Sequence, residues 1–174
     1  MAYRALDVAN YVVHHALETG KPITHLQLQK ILYYLEAVSL VKNGESLIND
    51  DIEKWKLGPV VPEVYHQYKV FGSNPISYVP KELKISDDNI FDVELKEFQE
   101  DVIHEETRKE INPLIDKLLN YSGFQLVEMT HQHDLWKDDA PKIQEGIQYI
   151  KYNKNDMREY FIKNKDELGF LLNE

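Results

Sequence analysis

Residues 23–44 carry a full set of helix signals in one short passage. Thr24 stands at an N-cap position with Gln27 three residues later, the pattern of a capping box, and Ile23 and Leu28 occupy the two positions of a hydrophobic staple. Leu28, Ile31, Leu32, Leu35 and Val38 then recur at helical spacing, and Gly44 supplies the stop. A chain with so regular a 3.6-residue repeat near its start builds its core from helices. The segment before it agrees. Leu6, Ala9, Val13, Ala16 and Leu17 form one stripe with Val8 and Val12 beside it, ending at Gly20 and Pro22.

Further along, Ser122 with Gln125 repeats the capping-box pattern, and residues 154–168 have the spacing of a closing amphipathic helix. Leu95, Phe98 and Val102, then Ile111, Leu114, Ile115 and Leu118, predict helix from Asp92 onward, with Asn112-Pro113 marking a fresh start or a kink. Residues 72–92 carry Gly72, Pro75 and Pro80 and an acidic cluster, and predict an excursion over the surface. The run "HDLWKDDAP" predicts a loop. Strand alternation is weak throughout; residues 45–57 suit a small hairpin or an extended arm. The expected fold is therefore mainly α, a compact single-domain helical fold over residues 1–174 with at most a small β-hairpin or sheet.

One stretch is far denser in stiff and aromatic residues than its surroundings: "IEKWKLGPVVPEVYHQYKVFG", residues 52–72. Pro62 followed by Val64, Tyr65, Tyr68 and Phe71 predicts a helix with proline in its first turn and Gly72 at its end. Trp55, Gly58, Pro59 and Val60 then form the approach to that helix. The stretch has no nucleophile with a base at a recognisable spacing. Its aromatic residues, with Tyr33, Tyr34 and Trp136, have two readings, core filling and an exposed binding platform, and tyrosine serves both.

Charge narrows the range of partners. Twenty basic residues against 30 acidic ones give a formal charge of −10, and a surface so acidic repels phosphate backbones and anionic lipid. Nucleic acid and membrane are therefore not expected as partners; solubility, or attraction to a basic protein, is. The absence of cysteine excludes disulfides, thiolate zinc sites and thiol nucleophiles. The first twenty residues lack a secretory pattern, and nowhere do 18 apolar residues run together, so the expected location is the cytoplasm.

Catalytic and metal signals are weak. His131, His133 and Asp134 offer two imidazoles and a carboxylate, which as a set would suit a metal-dependent hydrolase, but residues two apart on a helix end point in different directions. No phosphate-binding glycine loop occurs among seven glycines. No catalytic residue, metal or cofactor is expected.

Two elements together, W-x-x-G-P-V-x-P within residues 26–72 and T-H-x-x-x-x-W within "LVEMTHQHDLWKDDAP" (residues 126–141), with "IQYIKYNKNDMREYF" behind them, resemble the Panacea-domain family, over a motif core of about residues 5–162. The resemblance implies a compact, mainly helical domain acting as the antitoxin of a toxin–antitoxin pair, often prophage-associated, which neutralises a cognate protein toxin by direct binding. Some members carry a DNA-binding region before the domain, whereas here the motif-bearing part begins almost at Met1, which speaks against operon autoregulation by this chain. On this reading Trp55, Gly58, Pro59, Val60, Pro62, Tyr65 and Tyr68, with His131 and Trp136 packed against them, form a corner that either touches the toxin or supports a surface that does. An adaptor that hands a client to a protease, docking through the acidic segment near Asp87 and Asp88, is the alternative to simple occlusion, beside the hydrolase.

Overall fold

The computed structural model describes residues 1–173. Its centre is a helix, α2 (His25–Lys42), that buries fourteen of its eighteen residues. Around it lie α1 (Ala5–Glu18), α3 (Pro62–Tyr68), α4 (Glu105–Leu118), α5 (Gly123–Gln132) and α8 (Lys154–Lys163). Five consecutive apolar residues, Ile31, Leu32, Tyr33, Tyr34 and Leu35, sweep more than a full turn, so no side of α2 is left for water. The sequence stripe described one face; the helix is buried nearly all round.

The local signals at its start act as expected. Thr24 accepts the Gln27 backbone N–H, Gln27 accepts the Thr24 N–H at 2.9 Å, and the staple residues Ile23 and Leu28 are fully buried. Ser122 and Gln125 reproduce this box at α5. Pro62 opens α3, and a short 3-10 turn, Lys69–Phe71, follows before Gly72 turns the chain with φ of 57°. Thr24→Ala is expected to cost about 1 kcal/mol, the usual worth of an N-cap, read from urea denaturation.

Two antiparallel hairpins complete the architecture. The first pairs β1 (Glu53–Trp55) with β2 (Gly58–Val60). Its second strand is the Gly58-Pro59-Val60 run, so the expected arm at 45–57 lies a few residues late. The second pairs β3 (Glu82–Ile85) with β4 (Val93–Lys96). It occupies the expected surface excursion and takes Leu95 out of the helix predicted from Asp92 onward. Residues 134–144 form two short helices, α6 (Asp134–Lys137) and α7 (Ala140–Gln144), instead of a loop. The closing helix stops at Lys163, then re-forms as a 3-10 turn and α9 (Gly169–Leu172).

Pro113 lies inside α4 without ending it. The ring removes one hydrogen bond to the carbonyl four residues back, that of Lys109. Both residues face solvent, where water replaces the lost donor.

Candidate functional site

The corner is assembled from three stretches far apart in sequence: the β1–β2 hairpin with α3, the α5–α6 junction, and the first half of α2. Gly58 sets how closely they approach. Its φ of +91° belongs to the left-handed half of backbone space, and a Cβ there would stand 2.7 Å from Thr130 Oγ1 and 3.2 Å from Lys30 Cε. Only glycine lets the hairpin lie directly on α2 and α5.

Polar groups of α2 then lock the hairpin in place. Lys30, fully buried, donates from Nζ to the Pro59 carbonyl at 3.0 Å. Gln29 Oε1 accepts the Val61 N–H at 2.9 Å, while Gln29 Nε2 donates to His25 Nε2 at 3.1 Å. These bonds satisfy backbone groups that the two-stranded ladder leaves open. Burial lowers the Lys30 ammonium to about 7 and the His25 imidazole to about 4.

The aromatic residues stack outward from this base. Trp55 is half-buried, its ring centroid 4.8 Å from that of Tyr65, which in turn lies 5.1 Å from His25. The Trp55 indole N–H donates to Glu53 Oε2 at 2.8 Å. From the other side Trp136, buried, donates its indole N–H to the Trp55 carbonyl at 2.9 Å, and the His131 ring stacks on it at 3.7 Å with an interplanar angle of 14°. Lys54 reaches across to Asp139 at 2.7 Å, and that hydrogen bond holds the Asp139 carboxyl below the usual carboxylate range. Tyr68 points the opposite way, into the core, where its hydroxyl donates to Asn10 Oδ1 at 2.7 Å. The structure thus brings Trp55, Gly58, Pro59, Tyr65, His131 and Trp136 together. Val60 is buried in β2, Pro62 only begins α3, and Tyr68 belongs to the α1–α3 contact.

His131 and His133 diverge. His133 sits in an aromatic cluster with Tyr33, Tyr152 and Phe161, sharing a 2.9 Å hydrogen bond between its Nδ1 and the Tyr33 hydroxyl. Asp134 points to solvent. Among the described residues no group of three His, Cys, Asp or Glu is placed to hold a metal.

Burial lowers His133 to about 4, well below the ordinary histidine value of 6.5. Between these values the unfolded chain binds a proton that the folded chain excludes, so the His133 contribution to stability is intact above pH 6.5 and is lost as pH drops toward 4. His25 acts in the same sense. Lys30 extends the trend upward, since stability rises with pH from about 7 toward the ordinary lysine value. For His133 alone, stability at pH 4.5 is expected to be roughly 2–3 kcal/mol below that at pH 7.5. Urea titrations at both pH values, with His133→Gln flattening the dependence, check this; an equal slope in that variant would refute it.

Sequence reasoning missed Lys30, Gln29 and Glu36, charged and polar residues sealed inside α2. Each looks like a solvent-facing position when only the Leu28–Val38 stripe is considered. The signal that finds them is the unbroken apolar run of residues 31–35, which leaves α2 no side facing solvent along its middle.

Comparison with known proteins places these residues in context. The family described as "Antitoxin SocA-like, Panacea domain" matches residues 28–137, a span that includes the hairpin, α3, α5 and Trp136. The chain is 40% identical over 75 residues to a protein named Antitoxin SocA from Caulobacter vibrioides (strain NA1000 / CB15N); the aligned stretch is 43% of this chain and 38% of that protein. No solved structure matches the chain. Among the described residues no helix is long and apolar enough to cross a membrane.

Proposed function

The chain belongs to the SocA-like antitoxin family of Panacea domains, and from that premise we propose that it is the antitoxin of a toxin–antitoxin pair, prophage-associated and cytoplasmic, which neutralises a cognate protein toxin by direct binding. The observation that carries the reading is the family match over residues 28–137, supported by the likeness to Antitoxin SocA. Binding without catalysis is the mechanism. The corner supplies a rigid scaffold: Gly58 is locked by close approach, Pro59 and Val61 by bonds from α2, and Trp55 by Tyr65 and Trp136. Little conformational entropy remains there to be lost when a partner docks. Trp55 and Tyr65 keep half-exposed faces at the edge of that scaffold, and the formal charge of −10 draws a basic toxin while repelling nucleic acid and anionic lipid.

Co-expression with the protein encoded by the adjacent open reading frame, followed by co-purification at moderate salt, tests the proposal. A stoichiometric complex and growth rescue are expected. The association rate is expected to fall several-fold as salt rises from low to physiological strength, with a smaller change in dissociation. Growth rescue without any complex, at less than stoichiometric amounts of this chain, would overturn occlusion.

A further inference from the structure

Among the described residues, six of the sixteen large apolar side chains that stand exposed fall within residues 83–95, on β3, β4 and the turn between them. The register sets Leu83 opposite Leu95 and Ile85 opposite Val93. Because alternate residues of a strand share a face, these four form one apolar face. The other face carries Glu82 opposite Lys96 and Lys84 opposite Glu94, opposite charges directly across from one another. Neither face covers a core, because the charged face is exposed as well apart from Glu82. Glu82 is the one strand residue that is not exposed, and its carboxylate accepts hydrogen bonds from Arg4 and Asn10, at the start and within α1. The apolar four are 50–72% exposed, and Phe91 in the turn is 88% exposed.

A hairpin of two strands gains little stability by itself, and a paired apolar face left in water invites aggregation. Charge decides what covers it. The turn brings Asp87, Asp88 and Asp92, with no Lys or Arg between Lys84 and Lys96. A second copy would bring the same acidic turn and another −10, crowding like charges. A surface with an apolar patch bordered by Lys and Arg complements both features at once. We infer that the apolar face of the β3–β4 hairpin is the docking surface for a protein partner of that chemistry. The inference rests on the antitoxin reading, in which the partner is the toxin. It places the main contact on the hairpin rather than on the corner.

The test uses the full chain with Leu83→Thr and Leu95→Thr together, which removes apolar surface yet keeps strand propensity. The probe is the protein encoded by the adjacent open reading frame. Circular dichroism and melting temperature are expected to stay at the wild-type values, while affinity falls at least about tenfold. Replacing Asp87, Asp88 and Asp92 by Lys is expected to slow association several-fold with little effect on dissociation. Full affinity in a folded Leu83→Thr, Leu95→Thr variant, with the wild type also binding, would overturn the docking surface and leave the antitoxin reading standing. A wild-type chain that forms no complex would overturn both. If the chain alone is a dimer that this double variant separates, the face belongs to a second copy and the inference fails.

Discussion

Glu36→Ala is expected to cost about 3–5 kcal/mol, the range for removing one partner of a buried charged pair. Glu36 lies fully buried in the middle of α2. Its Oε2 accepts the backbone N–H of Leu47 at 2.8 Å and of Ile48 at 3.0 Å, and its Oε1 faces Lys154 Nζ at 3.1 Å. Lys154 also donates to the Ile48 carbonyl. One carboxylate therefore holds the chain after α2 and the start of α8 against the central helix. Alanine leaves two buried N–H donors unpaired and a cavity beside them. Glu36→Gln keeps the shape and an acceptor oxygen, so its loss is expected to be smaller. Urea denaturation of both variants checks this, and a loss under about 1 kcal/mol for the alanine form would show that the 45–48 segment has another anchor. Against a typical total of about 5–15 kcal/mol, the expected loss leaves a marginal protein.

Trp136→Ala is expected to cost a similar amount, about 3–5 kcal/mol, as for a large buried aromatic cut back to alanine. Trp136 is 8% exposed, stacks with His131 and donates to the Trp55 carbonyl. Its removal empties the space between α6 and the first hairpin and leaves that carbonyl without its donor. Trp136→Phe retains an aromatic ring for His131 but loses the N–H and part of the buried indole, so an intermediate loss of about 1–3 kcal/mol is expected. Trp55→Ala is expected to fall well below Trp136→Ala, because Trp55 keeps one side toward solvent. Thermal melts of the three variants rank them; an equal loss for Trp55 and Trp136 would mean that Trp55 is as much a core residue as its partner.

The hairpin of β3 and β4 was legible in principle. Leu83 and Ile85 alternate with Lys84, and Val93 and Leu95 alternate with Glu94, a period of two on each side of a polar turn. A competing pattern hid it. Leu95, Phe98 and Val102 also fit one face of a helix, and four-residue strands offer too few repeats to outweigh that fit. Which pattern applies depends on whether Leu95 has a strand to pair with, and Leu83 lies twelve residues away.

By itself the sequence determined the starts of helices. Thr24 with Gln27, Ser122 with Gln125 and Pro62 work through bonds and dihedral limits spanning three or four residues, so any chain bearing them is biased locally before it folds. It also carried the two elements at Trp55–Pro62 and Thr130–Trp136 on which the resemblance rested, both inside the span of the family match. Tertiary structure alone decided that Lys30 and Glu36 face inward, that Pro113 rides on the wet side of an unbroken helix, and that Trp136 meets the carbonyl of Trp55, 81 residues away. The reason is the range of the forces. A cap is satisfied by its neighbours, whereas a buried ammonium or carboxylate is tolerated only where distant segments supply its partners, and those partners exist only once the chain has packed.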